Sequence, residues 1–242
     1  MARLLEENGV TKRFDGLVAV DTVSMNVDAG AVVGVIGPNG AGKTTLFNIV
    51  SGFYRPNTGS VAFDGADVTG LKPHKLCRLG LARTFQVTKP FNNLTVMETV
   101  RLGALNRTAD LGEAEDTARQ VLDRLALAAF ADKLGKELTV IQRKRLEVAR
   151  ALATGPRLLM LDEVAAGLRP AEIKEIVALV RQIAASGVAV VLIEHVLEAV
   201  MTTSERIVVL NFGVKIAEGT PAEMSRDPEV IAAYLGAESA HA

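Results

Sequence analysis

Apolar residues fall into two rhythms along this chain. Near-continuous apolar runs stand at 31–36 (AVVGVI), 158–161 (LLML), 188–193 (VAVVLI) and 207–210 (IVVL), the pattern of strands buried on both faces. Ahead of them the first thirty residues alternate weakly and are broken by Gly9, Gly16 and Gly30, which predicts short strands joined by turns. Shorter strand signals stand at 60–63 and 81–86. Between about 95 and 155 the period becomes helical. Val121, Leu122 and Leu125 mark the stripe of a helix from about 113, and Leu146, Ala149 and Leu152 mark another. Thr95 with Glu98, and Thr139 with Gln142, have the spacing of capping boxes that start helices. A further helix, with Ile173, Ile176, Val177, Val180 and Ile183 on one face, lies between the second and third apolar runs.

Apolar strands alternating with helices predict a parallel sheet covered on both sides. The helical stretch interrupts that pattern as a small second lobe. No internal repeat or low-complexity segment is visible. The 27 basic and 28 acidic residues nearly cancel, so no long-range attraction to nucleic acid or an anionic membrane is indicated. Cys77 is the only cysteine, which rules out an internal disulfide and suits a reducing compartment. The N-terminal MARLLEENGVTKRF has no basic segment followed by an apolar one, so no signal peptide is expected. No apolar run approaches the roughly 20 residues that span a bilayer. The expectation is a soluble chain, carried to any membrane by something else.

Chemistry enters at GPNGAGKT, Gly37 to Thr44, which fits G-x-x-x-x-G-K-[ST] without mismatch between a buried strand and a helix. Glycines let successive N–H groups turn inward around phosphate oxygens. Lys43 supplies a charge for the β- and γ-phosphates and the Thr44 hydroxyl is placed for Mg²⁺. The dipole of the helix beginning near Lys43 adds to the attraction. A nucleoside triphosphate is the expected ligand. In LLMLDE the second buried strand ends in two acids. Asp162 is placed to hold Mg²⁺. Glu163, aimed the other way by the pleat, is placed to polarise water as a general base.

These residues together resemble the nucleotide-binding subunits of ATP-binding cassette transporters, over about residues 5–236. GPNGAGKT matches the phosphate loop, RTFQ the segment whose glutamine senses Mg²⁺ and the transport domain, LLMLDE the acid pair, and IEH the switch histidine. The resemblance implies an α/β fold: a P-loop NTPase with a mostly parallel sheet core, an N-terminal antiparallel β portion and an inserted α-helical subdomain. Residues 1–237 would form one domain, with 1–90 and 156–237 as nucleotide-binding core, 91–155 as helical subdomain and 238–242 as a frayed tail. ATP would lie on Gly37, Pro38, Asn39, Gly40, Ala41, Gly42, Lys43, Thr44 and Thr45. Mg²⁺ would be held by Thr44, Gln86 and Asp162, with Glu163 and His195 catalytic. Phe14 stands where the family stacks an aromatic ring on adenine, a buried-core role being the alternative.

FDGLVAVD, AAGLRPAE and IAEGTPAE…DPEVIAAYLG resemble importers of the branched-chain amino acid type, a group that also carries urea and some aromatic or carboxylate compounds. The resemblance implies a second ATPase subunit, integral membrane permease subunits and, indirectly, a periplasmic solute-binding protein. It places the chain on the cytoplasmic face of the inner membrane, with no nucleic-acid partner. The resemblance also implies that the membrane subunits and the binding protein, not these residues, would touch the solute.

LTVIQ, residues 138–142, stands where the family carries LSGGQ, the segment that reaches the γ-phosphate of the opposite subunit. Leu138, the Thr139 hydroxyl and Gln142 remain, while Val140 and Ile141 replace both glycines. Glycine permits close backbone approach; Val and Ile block it. Val164 replaces the usual proline after the acid pair, and Arg169 stands where the D-loop has an aspartate or asparagine. The cap is expected to survive while phosphate contact weakens, giving asymmetric hydrolysis in a heterodimer. The alternatives are an interface that adjusts around the two side chains, and a regulatory subunit that binds ATP but scarcely hydrolyses it. A cassette acting on DNA or ribosomes ranks last, for want of a basic patch, a coiled coil or a second cassette.

Overall fold

The computed structural model describes residues 3–85, 91 and 93–239. The chain opens with an antiparallel pair, β1 (Arg3–Phe14) and β2 (Leu17–Asp28), followed by the buried β3 (Val32–Ile36), the phosphate-loop helix α1 (Lys43–Val50), β4 (Thr58–Phe63) and β5 (Ala66–Asp67). Next come α2 (Pro73–Leu79) and β6 (Leu81–Arg83), then α3 (Val96–Ala104), α4 (Leu111–Arg124) and α5 (Val140–Ala153). The last part alternates β7 (Leu158–Asp162), α6 (Pro170–Ala185), β8 (Ala189–Ile193), α7 (Leu197–Thr203), β9 (Arg206–Asn211) and β10 (Val214–Gly219), and ends in α8 (Pro221–Met224) and α9 (Pro228–Ser239).

These strands form two sheets, a four-stranded antiparallel one ordered β2-β1-β4-β5 and a six-stranded one ordered β10-β9-β3-β8-β7-β6. The larger is parallel except for the β9–β10 hairpin. Its apolar runs serve two cores. Val32, Ile36, Leu159, Leu161, Val190 and Leu192 pack toward the helices. Val33, Val35, Leu158, Met160, Val191 and Ile193 share a core with the antiparallel sheet and with Leu46 and Phe47 of α1. Burial on both faces removes the need for polar alternation, which is why these runs read as continuous. Helices α3, α4 and α5 pack on one another, and both predicted capping boxes form, Thr95 with Glu98 and Thr139 with Gln142.

The first thirty residues differ from expectation. They form two strands of 12 residues each rather than short ones. Gly9, at φ +58°, is taken up as a register shift between Glu7 and Val10 instead of ending the strand. The tight turn falls at Asp15, φ +48°, between Phe14 and Leu17.

Within this sheet Glu7 is only 2% exposed and its Oε2 has no hydrogen-bond partner. Burial pushes its pKa from the ordinary 4.5 up to about 8, against the opposing pull of Lys215. A folded pKa above the unfolded value means the native state holds the proton more tightly. That contribution to stability is complete below about pH 4.5 and is lost as pH rises through about 8. Glu7→Gln, which fixes the neutral state, should therefore gain on the wild type by roughly 1.4 kcal/mol per pH unit across this window. Denaturant melts of both proteins at three pH values check it. A difference independent of pH would show that Glu7 does not titrate there.

Candidate functional site

The site assembles at the C-terminal ends of β3, β7 and β8. After Ile36 the loop 37–42 leaves the sheet and feeds α1. Gly37, at φ +151°, lies so close to β9 that a Cβ would sit 2.1 Å from the Leu210 carbonyl oxygen. Gly42, at φ +99°, caps α1, and a Cβ there would meet the Ala19 carbonyl oxygen at 2.4 Å. Both positions exclude a side chain through backbone that cannot yield. The loop motif is thus demanded by packing as well as by phosphate.

Lys43 is 6% exposed and folds back over its own loop, its Nζ donating to the carbonyls of Gly37 at 2.7 Å and Pro38 at 2.9 Å. Burial lowers its pKa, opposed by the charges of Glu163 and then Asp162. A cleft of about 480 Å³ opens over this loop. Asn39, Gly40, Ala41, Gly42, Lys43, Thr44 and Thr45 line it together with Glu163 and His195, and Leu17, Val18, Ala19 and Phe212 supply apolar wall. Pro38 is partly buried just below. Phe14 is not among the lining residues. It ends β1 half-exposed, its ring edge-on to Tyr54 at 5.2 Å between centroids, with Lys12 Nζ 5.1 Å from its ring centre.

The two acids at the end of β7 separate in an unforeseen way. Asp162 closes the strand opposite Ile193. Glu163 does not continue the pleat: its backbone turns left-handed, φ +51°, with its N–H still donating to the Ile193 carbonyl at 2.9 Å. For a non-glycine residue that conformation costs of order 1–3 kcal/mol and persists where surroundings enforce it. It sets the Glu163 Oε1 2.8 Å from His195 Nε2. Lys144 of α5, 8% exposed, donates from Nζ to the Glu163 carbonyl at 2.8 Å. Glu194, 1% exposed, accepts from the Ala165 N–H at 2.7 Å. Burial raises the Glu194 pKa to about 7, against the Ala165 hydrogen bond and the Lys144 charge.

Asp162 is held from β6. Arg83 Nη2 meets its Oδ2 at 2.7 Å, and the same guanidinium bonds Asn48 Oδ1 at 2.6 Å and Ser51 Oγ at 2.9 Å. Its carbon centre lies within 5.7 Å of the ring centres of Phe47, Phe53 and Phe85. The other oxygen, Oδ1, is sealed from solvent without a hydrogen-bond partner. An orphaned carboxylate oxygen suits Mg²⁺, a hard cation that takes oxygen ligands and keeps several waters. Gln86, the remaining metal-site candidate, lies outside the described residues.

At the start of α5, Thr139 Oγ1 accepts from the Gln142 N–H at 3.4 Å and Gln142 Oε1 accepts from the Thr139 N–H at 3.0 Å. Val140 is 56% exposed and Ile141 packs partly against the core. Val164 is buried, and Arg169 is an exposed cap of α6 paired with Glu172 at 2.9 Å.

Arg83, Lys144, Glu194 and the apolar wall residues Leu17 and Phe212 had no role in the sequence reading. Arg83 and Glu194 sit inside the RTFQ and IEH segments, but nothing local shows where their side chains reach. Lys144 lies in a run of basic residues that reads as a solvated face.

A glycine-rich loop between a parallel strand and a helix, with two acids at the end of β7, which β8 separates from β3 in the same sheet, defines a P-loop NTPase. Residues 20–166 match the family described as ABC transporter, and residues 214–240 match the branched-chain amino acid ATP-binding cassette transporter family. The chain is 42% identical to the high-affinity branched-chain amino acid transport ATP-binding protein BraF of Pseudomonas aeruginosa, over 96% of this chain and 98% of that one. It is 36% identical to the lipopolysaccharide export system ATP-binding protein LptB of Acidithiobacillus ferridurans, over 98% of each. The crystal structure of the ADP conformation of MJ1267, an ATP-binding cassette of an ABC transporter, superposes with a TM-score of 0.90 at 32% identity, covering 98% of this chain and 100% of that one. The chain belongs to the ABC transporter family and is one of its ATP-binding cassettes, an ATPase.

Proposed function

We propose that this cassette is the ATP-hydrolysing subunit of an importer for branched-chain amino acids or a related small solute. The observation that carries the hydrolytic part is the convergence of the phosphate loop, Glu163 and His195 on one cleft. Lys43 exchanges its bonds to the Gly37 and Pro38 carbonyls for the β- and γ-phosphates, and the loop N–H groups hold the remaining oxygens. Thr44 and Asp162, with Gln86, would hold Mg²⁺, which would neutralise phosphate charge when bound. Glu163 takes a proton from the attacking water, and His195, already bonded to it, steadies the carboxylate and faces the γ-phosphate. Phe14 is read as the adenine platform. To serve, its ring must leave the edge-on contact with Tyr54 or the base must reach it across Leu17.

Import follows from the resemblance to importers of the branched-chain amino acid type. The solute class is supported by the 42% identity to BraF, a branched-chain amino acid transport protein, and by the C-terminal match, which outweigh the more distant export relative. No helix among the described residues is long and apolar enough to cross a membrane. The reading places the chain peripherally at the cytoplasmic face of the inner membrane, on permease subunits fed by a periplasmic binding protein, with residues 91–155 as the helical lobe. A second, different cassette completes the ATP sandwich. In that heterodimer this chain's phosphate loop meets an intact signature, and its own LTVIQ serves the partner poorly.

Lys43→Ala should weaken binding of a fluorescent ATP analogue by at least about tenfold. Affinity equal to wild type would remove the phosphate-loop assignment. Solute class is read from stimulation of the reconstituted complex by leucine, urea, aromatic or carboxylate compounds. A second reading, a subunit that binds ATP with little turnover, is favoured by the exposed Val140 at the helix start. It would be preferred if ATP bound tightly and was never hydrolysed, even beside an intact partner.

A further inference from the structure

Three contacts converge on the short segment that follows β7. The Glu163 N–H is tied to Ile193 of β8 at 2.9 Å, the Glu163 carbonyl receives Lys144 Nζ at 2.8 Å, and the Ala165 N–H is received by Glu194 Oε1 at 2.7 Å. Lys144 and Glu194 are both more than nine-tenths buried. A buried lysine among acids ordinarily meets a carboxylate. Here Lys144 donates instead to a backbone carbonyl, that of the one residue at this strand end with a left-handed backbone. Lys144 also comes from α5, in the second turn after the Thr139 cap, so the helix that begins with LTVIQ is fastened to this chain's own acid pair.

We propose that Lys144 and Glu194 are positioning residues for Glu163: together they fix the turn that aims its carboxylate at His195 and the phosphate loop, and Lys144 makes the helix beginning at Thr139 move with that turn. The proposal rests on the reading of Glu163 as the carboxylate that activates water. Its further consequence is a mechanical link between the two ATP sites of a cassette pair. The start of α5 serves the opposite site, while its second turn grips the catalytic glutamate of its own site. Neither side chain need touch nucleotide, so loss of either should spare ATP binding and slow the chemical step.

The test uses the assembled transporter, with Lys144→Met and Glu194→Ala set against Lys144→Arg and Glu194→Gln, which retain a donor and an acceptor. Steady-state kinetics and deuterium uptake of the peptide covering residues 158–168 are measured together. The Met and Ala variants should lose at least about tenfold in kcat with KM for ATP within about twofold, and the backbone of 163–165 should exchange faster. The Arg and Gln variants should recover most of the rate. Unchanged kcat in the Met and Ala variants would overturn the proposal, as would equal loss of rate and ATP binding. Should Lys144→Met fail to fold, the Ala and Gln pair at Glu194 decides alone. An undiminished rate in Glu163→Gln would instead overturn the underlying reading, which separates the two failures.

Discussion

Replacing Glu163 by Gln in the assembled transporter should lower ATP turnover by about a thousandfold, with ATP affinity held within a few-fold. The substitution removes the basic oxygen pair and little else. Gln has the same shape, can still accept from His195 Nε2, now 2.8 Å from the Glu163 Oε1, and leaves the backbone ties of Glu163 to Ile193 and Lys144 in place. Loss of a positioned general base costs typically 10²–10⁴ in rate. The partner's phosphate loop would not hide the effect if it faces LTVIQ, because on the proposed asymmetry that site would already turn over slowly. Glu194→Gln is the control: it removes a carboxylate in the same region but keeps an acceptor for the Ala165 N–H. A fall of less than tenfold in Glu163→Gln, or one matched in Glu194→Gln, would take the role of base away from Glu163.

The parts of this site visible in the sequence are those where a residue type is forced locally. Gly37 and Gly42 must be glycine because backbone oxygens stand where Cβ would be, so the loop announces itself. The apolar runs of β3, β7 and β8 are continuous because two cores meet on them. Capping boxes are legible because donor and acceptor lie three residues apart. What stayed hidden depends on partners distant in the chain. Arg83 reaches Asp162 across 79 positions and Lys144 reaches Glu163 across 19, and composition carries no trace of either. The same holds for the turn at Glu163. Strand alternation predicted that its side chain would diverge from that of Asp162, but the divergence comes from a left-handed backbone imposed by the ties to Ile193 and Lys144. The long β1 and β2 were misread because glycine at the surface of a sheet is as compatible with a bulge as with a turn.

Restoring glycine at both altered signature positions, Val140→Gly with Ile141→Gly, should raise the steady-state ATPase rate of the isolated chain by roughly a hundred- to a thousandfold from a nearly silent wild type. The helix start is already formed: Thr139 and Gln142 exchange their two capping bonds without help from 140 or 141. What it lacks is room. Val140 projects into solvent at the first helical position, 56% exposed, where a triphosphate held on a facing cassette would have to approach the N–H groups. Removing that obstruction regains a preorganised donor to developing charge, worth around 3 kcal/mol in the transition state. Against this stand a helix-propensity cost of about 0.5 kcal/mol for each replacement of a β-branched residue by glycine and the lost packing of Ile141. The double variant should accordingly melt earlier than the wild type while hydrolysing faster, a pairing that nonspecific damage does not produce. Equal and substantial rates in the two proteins would mean that the interface accommodates Val140 and Ile141, and hydrolysis would then be symmetric.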